Sequence, residues 1–210
     1  KGVDKIFYAL TWPKIDGKLW GGVAVGDADA HAYYHPFLDP EELAKGQKKT
    51  TSAKGLPKGT GRVGMHQSSL TRSDFEGVAC HEAVHVLANQ WITPGAKATW
   101  AAEGLATWAD NGTSGLLGRD GGRIRGHFGR FVDIAAKGAE GFYDKNQEVR
   151  YNNYVSAAAV FAYLESERGR SSVFDQAEYY YGNPGQEGYE GKLDGRTRDL
   201  FDDTRKWLNA

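Results

Sequence analysis

His81-Glu82-Ala83-Val84-His85 is the stretch on which the reading of this chain turns. Residues four apart on a helix lie one above the other on the same face. The imidazoles of His81 and His85 are therefore side by side and can grip one metal ion, for which zinc is the natural partner. Glu82, one residue after the first histidine, stands at the rim of that face. A carboxylate there can reach water at the metal without being a ligand itself. The pattern thus supplies two ligands and a base within one helical turn.

The flanking residues predict a helix over about 73–89. Ser73 stands three before Glu76, the spacing of a capping box in which each side chain satisfies the other residue's backbone N–H. Phe75, Val78, Ala79, Val86 and Leu87 follow at mostly helical offsets, and Asn89 with Pro94-Gly95 gives a stop. Cys80, the single cysteine, immediately precedes His81 and is rotated about 100° from it. It cannot join the two histidines as a third ligand without breaking the helix, which argues against a deformylase-like site, and it is expected to be a small buried hydrophobe.

A catalytic zinc takes three protein ligands and keeps a fourth position for water. No histidine follows His85 until His127, so the three-histidine pattern of the metzincins is absent. The other route is a glutamate on a second helix, and Trp100-Ala101-Ala102-Glu103-Gly104-Leu105-Ala106 offers one eighteen positions after His85. Glu103 is the expected third ligand of a single zinc ion.

With that segment the chain resembles the gluzincin metallopeptidases, in particular the peptidase MA-like group, in which the HExxH helix is followed by Trp-x-x-Glu-Gly-x-Ala. The resemblance implies that His81, His85 and Glu103 bind zinc, that Glu82 is the general base, and that peptide bonds are hydrolysed. The segment from Tyr154 through Tyr163-Leu164 to Gly169 is similar to a family helix that begins with Tyr and ends in Tyr-Leu before a glycine. On that likeness Tyr154 is a candidate to stabilise the oxyanion, with Tyr151 as the neighbouring substitute. The C-terminal stretch from Phe201 to Trp207-Leu208 resembles the terminal amphipathic helix of such domains, so the likeness covers roughly the last two thirds of the chain. Thermolysin-like relatives carry an Asp one turn after the glutamate ligand. This chain has Thr107 there, and either Thr107 or Asp110 is left to accept from the first histidine. The family also implies an edge strand just before the zinc helix, where Val63 to His66 falls. Pairing a peptide there would use main-chain groups only and leave side-chain preference open.

Composition agrees with an enzyme that buries a core. The chain has 210 residues, 40% of them hydrophobic, and 26 basic against 27 acidic residues for a net charge of −1. That balance gives no field to draw in nucleic acid or an anionic membrane, and no stretch approaches the roughly twenty apolar residues of a membrane span. A single cysteine excludes an internal disulfide framework. The start at Lys1, without methionine or a signal-like segment, fits a processed secreted protein or simply a trimmed chain, and the family likeness implies a secreted or periplasmic setting. The expected partner is a peptide or protein substrate, and oligomeric state is left open.

Before the zinc helix, Ile6 to Leu10, Leu19 to Val25, Ala32 to His35 and Arg62 to His66 read as short strands, bounded by turn signals such as Asp16-Gly17 and Gly26-Asp27. Residues 41–61, rich in Lys, Thr, Ser and Gly, read as a surface loop. After it, helices are expected over 98–110, 124–137, 152–168, 172–181 and 197–208, with Gly112, Gly138, Gly169 and Gly182 near their ends where a left-handed cap is useful. The loop from Gly182 to Gly195 reads as disordered or as a rim of the cleft. His127 sits on the 124–137 helix among basic residues, which reads either as a solvated face or as a substrate-positioning group. His31, His35 and His66 lack paired carboxylates at a metal-site spacing and read as structural or surface histidines. The expected fold is α+β and zincin-like: a small N-terminal β-sheet, the HExxH helix and a mainly helical C-terminal lobe. It forms one domain over 1–210 with a β-rich lobe to about residue 95 and a helical lobe from about 96. The competing functional class is a catalytically degenerate zinc module that recognises a peptide or other polymer without cutting it. Glu82 argues against that class, because a structural zinc site has no use for a base beside its ligands.

Overall fold

Helices dominate the computed structural model, which describes residues 14–15, 18–19, 32–36, 61–65, 75–88, 98–182 and 193–210. The chain divides into two units, Lys1–Gln90 and Trp91–Ala210.

In the first unit, β1 (Lys14–Ile15) pairs antiparallel with β2 (Lys18–Leu19), and β3 (Ala32–Pro36) pairs antiparallel with β4 (Gly61–Met65). The second ladder sets Tyr34 opposite Val63 and His35 opposite Arg62. Helix α1 (Phe75–Ala88) packs against β3 and β4. It lies inside the expected 73–89 span and ends one residue before Asn89. Ser73 and the Glu76 side chain, the proposed capping box, lie outside the described residues.

The second unit begins with α2 (Thr99–Ala135), a long helix that continues across a break at Gly112, followed by α3 (Gly138–Phe142), α4 (Gln147–Arg168), α5 (Arg170–Gly182) and α6 (Gly195–Leu208). Gly112 has φ 64° and ψ 160°, a conformation that L side chains resist, so the chain turns out of helix there for one residue and resumes. The break is strapped from outside. Trp108 Nε1 donates to Thr113 Oγ1 at 3.1 Å and to Glu165 Oε2 at 3.2 Å, and the Thr113 hydroxyl donates to the same carboxylate oxygen at 2.6 Å. Gly138 and Gly169 also have positive φ, the latter closing α4. Helix α4 starts five residues earlier than expected because Asn146 caps it, accepting from the backbone of Glu148 at 2.9 Å and Val149 at 3.3 Å. Asp194 caps α6 in the same way through Thr197 N.

The core of this unit is aromatic. Trp100 meets Tyr180 at 4.6 Å and Phe201 at 4.9 Å between ring centroids, both edge-on, and Phe131 lies 5.5 Å from Phe201. Thr197, Leu200, Phe201, Thr204 and Leu208 form the buried stripe of α6, so the C-terminal helix is amphipathic.

The α+β, zincin-like expectation with a small N-terminal β-sheet is overturned, and the fold is mainly helical. The described strands make only two separate two-stranded ladders, and the second unit has no strand among its described residues. Two strands cannot bury a face by themselves, so they form no layer. The expected strand at Ile6 to Leu10 lies outside the described residues, as does all of Leu19 to Val25 except Leu19. Most of the 41–61 loop and of the 182–195 loop lies outside them too. The glycine-rich stretch from Thr113 to Arg123, not expected to be helical, is part of α2. Leu116, Asp120 and Ile124 are buried at offsets of four, and this packed stripe outweighs the roughly 1 kcal/mol that each glycine costs a helix. Among the described residues no helix is long and apolar enough to cross a membrane.

Candidate metal centre

The histidine pair of the first unit sits on one turn of α1. His81 Nε2 and His85 Nε2 stand 3.2 Å apart, with ring centroids at 4.9 Å and ring planes at 80°. Two nitrogens at zinc–nitrogen distances of about 2.0–2.1 Å and a tetrahedral angle are separated by roughly 3.3 Å. The histidine pair therefore has the edge length that a tetrahedral zinc requires. Glu82 and His85 are buried and His81 is half-buried. Cys80 is exposed rather than packed as a buried hydrophobe, a correction that follows from the helical wheel. It lies about 160° round the helix from buried Glu82 and about 140° from buried His85.

Glu103 belongs to the second unit. Glu103 is only 6% exposed, on α2 one turn after the core anchor Trp100. A carboxylate buried this deeply needs polar partners. One of them is Tyr143, whose hydroxyl donates to Glu103 Oε1 at 2.6 Å. Gly104, beside it, lets α2 and α4 approach closely: a Cβ there would lie 2.8 Å from the carbonyl carbon and oxygen of Ala157. The glycine of the Trp-x-x-Glu-Gly segment is thus a packing requirement that holds the glutamate's helix against α4.

Tyr154 is half-buried on α4, its ring 5.1 Å from that of Phe142. Tyr151 is committed elsewhere: its hydroxyl donates to the buried Asp120 at 2.9 Å and Arg123 lies over its ring at 5.4 Å. Burial, and then the Asp120 carboxylate, pushes the Tyr151 phenol above its ordinary range. Of the two residues left open as histidine acceptors, Thr107 is buried with a hydroxyl that has no hydrogen-bond partner among the described residues, and Asp110 is exposed and accepts from Asn111 Nδ2 at 3.2 Å. His127 is neither on a solvated face nor open to substrate. It is buried, with Nε2 2.9 Å from Asn153 Oδ1. His31 and His66 lie outside the described residues, and of His35 only its place in β3 is described.

In comparisons with known proteins, no family model, no curated protein and no solved structure matches the chain. The likeness to gluzincins therefore stands on the motif residues themselves.

Sequence reading missed Tyr143 and Asn153. Tyr143 follows a five-residue helix and belongs to no recognisable pattern. Asn153 did carry a signal, since asparagine is a poor interior helix residue and one placed among the apolar positions of a long helix is there for its hydrogen bonds.

Proposed function

We propose that the chain is a zinc metallopeptidase of the gluzincin type, with His81, His85 and Glu103 as the ligands of one zinc ion and Glu82 as the general base. The observation that supports this best is the 3.2 Å separation of the two histidine Nε2 atoms on the same helical turn as a buried glutamate. Zinc, when bound, supplies a Lewis acid that acidifies water and polarises the scissile carbonyl. Glu82 takes the proton from the attacking water and hands it to the leaving amine, so the carboxylate serves as base and then as acid. Tyr154 donates its phenolic hydrogen bond to the oxyanion of the tetrahedral intermediate, a role carried by the family likeness. The substrate is a peptide or an unfolded protein segment. A secreted or periplasmic setting belongs to the same proposal and rests on that likeness alone.

The test separates enzyme from binding module. Zinc copurifies with the wild type at about one equivalent and is lost from His81→Ala, His85→Ala and Glu103→Ala. Glu82→Gln keeps the metal and the fold but stops hydrolysis of an unfolded protein, because an amide cannot accept the water's proton. Wild-type protein that binds zinc and peptide yet cleaves nothing in a broad peptide library would replace the enzyme with the non-cleaving zinc module.

A further inference from the structure

Between Thr113 and Lys137 the chain exposes Arg119, Arg123, Arg125, Arg130 and Lys137, and of the two aspartates there Asp120 is buried and only Asp133 is exposed. In a chain of net charge −1 this is a locally cationic surface. Arg119 and Arg123 are four apart and lie one above the other on α2. Both gather round Asp120, whose side chain is only 7% exposed: Arg119 Nε donates to Asp120 Oδ2 at 2.8 Å, and Arg123 Nε stands 3.8 Å from Oδ1. Their outer nitrogens are also placed, Arg119 Nη2 donating to Asn111 Oδ1 at 2.7 Å and Arg123 Nη1 to Asn152 Oδ1 at 3.0 Å. Tyr151 donates to the same aspartate at 2.9 Å and packs its exposed ring 5.4 Å from the Arg123 guanidinium. Two like charges are thus held side by side by a buried carboxylate. Arg119 Nη1 and Arg123 Nη2 have no hydrogen-bond partner among the described residues.

We infer that Arg119 and Arg123 form a binding site for an acidic polypeptide segment lying along α2, with a carboxylate on each guanidinium. A guanidinium fork matches a carboxylate in shape and charge, and forks already fixed by Asp120, Asn111 and Asn152 lose little side-chain freedom on binding. The spacing fits. Residues four apart on a helix are about 6 Å apart along its axis. Alternate side chains of an extended peptide are separated by roughly 6.6 Å. A carboxylate already approaches the pair, since Glu148 Oε1 is 3.5 Å from Arg123 Nη1, but its side chain is 75% exposed and the contact is long enough to yield to a better-placed one. Round the helix, Arg125 stands about 120° from Arg119. Gly115, Gly118, Gly122 and Gly126 fill the arc between them, and a Cβ on any of these would meet nothing within 4 Å, so no side chain keeps a ligand's backbone off the helix. Duplex DNA carries a charge every 1.7 Å or so, far denser than this arginine spacing, and the chain's near-zero net charge adds no wider field to hold it.

Binding is read at low salt by fluorescence anisotropy of a short labelled peptide alternating Glu and Ser, with a Gln–Ser peptide and an oligonucleotide of equal charge for comparison. The wild type is expected to bind the Glu–Ser peptide more tightly than either. Arg123→Gln, whose exposed side chain lies beyond hydrogen-bond distance of Asp120, should keep the thermal midpoint and weaken binding roughly three- to tenfold, and Arg119→Gln with Arg123→Gln should weaken it about tenfold or more. Glu148→Gln removes the competing carboxylate and should tighten binding about twofold. Arg125→Gln with Arg130→Gln removes as much charge from arginines that have no ion pair among the described residues, and should cost only about twofold. Equal losses in the two double variants overturn the inference, because charge alone would then attract the peptide. It is overturned equally by a wild type that binds no Glu–Ser peptide, that binds the Gln–Ser peptide as well, or that prefers the oligonucleotide. The proposal does not rest on the zinc reading and leaves it untouched if it fails.

Discussion

The histidine turn and the Glu103–Tyr143 pair are each brought together, but by different physics. His81 and His85 are neighbours because a helix repeats every 3.6 residues, and nothing beyond α1 is needed to bring their Nε2 atoms to 3.2 Å. Glu103 and Tyr143 are forty positions apart and meet only because α2, α3 and α4 pack as they do, with Gly104 against Ala157 and Asn153 on the Phe142 carbonyl. A local arrangement survives changes in packing, whereas a long-range one fails when any of its supports shifts. The Glu103–Tyr143 contact is therefore the one that variants in the surrounding helices should disturb.

The largest effect expected outside the proposed ligands and base is at Tyr154. If its phenol stabilises charge present only in the transition state, Tyr154→Phe lowers kcat roughly tenfold to a thousandfold, about 1.4–4 kcal/mol, with zinc content and KM little changed. Near-normal kcat in this variant would show that the wrong tyrosine was chosen. Tyr151 is a poor substitute, because its hydroxyl is already bound to Asp120.

Alkaline pH should weaken the second region through its core. Burial pushes the Tyr180 phenol up to about 12, and its hydroxyl lies 2.9 Å from Thr197 Oγ1. Its folded-state value is raised above the ordinary value of about 10, so its contribution is fully present below pH 10 and is lost as pH rises towards 12. Two pH units correspond to roughly 3 kcal/mol. Urea unfolding of wild type and Tyr180→Phe between pH 9 and 12 should therefore give curves that diverge, the wild type losing more. Parallel curves would mean that Tyr180 ionises as an ordinary tyrosine.

The smallest effects come as a pair of opposite sign. Gly104→Ala gains helix propensity but drives a Cβ to 2.8 Å from the Ala157 backbone, and the overpacking should leave it about 1–2 kcal/mol less stable. Gly122→Ala, on the exposed side of α2 with nothing within 4 Å of the added carbon, should be more stable by up to about 1 kcal/mol. Thermal unfolding of both variants decides the matter. Stabilisation in both would show that α2 and α4 can separate at Gly104 without loss, and that Glu103 is held less firmly than its surroundings imply.

The features that the sequence determined by itself are those governed by short-range backbone geometry. The spacing of His81 and His85 brought two imidazoles together, and of the four glycines read as useful left-handed caps Gly112, Gly138 and Gly169 have positive φ, whereas Gly182 is the last residue of α5 and is not among the positive-φ glycines. The pattern also located α1 and the span of α6, whose amphipathic character the family likeness implied. What only tertiary structure decided are matters of distant partners. Apolar runs before α1 looked like strands, but whether strands make a sheet depends on how many others join them, and only two-stranded ladders form among the described residues. The glycines between Thr113 and Arg123 argued locally against helix, and the burial of Leu116 and Ile124 overrode them. Cys80 was placed inside on residue type alone, although the burial of Glu82 and His85 turns it outward. The hydroxyl on Glu103 and the amide that braces it were hidden for the same reason: no spacing rule links residue 103 to 143, or 127 to 153, and only the packing of the helices brings them within hydrogen-bond reach.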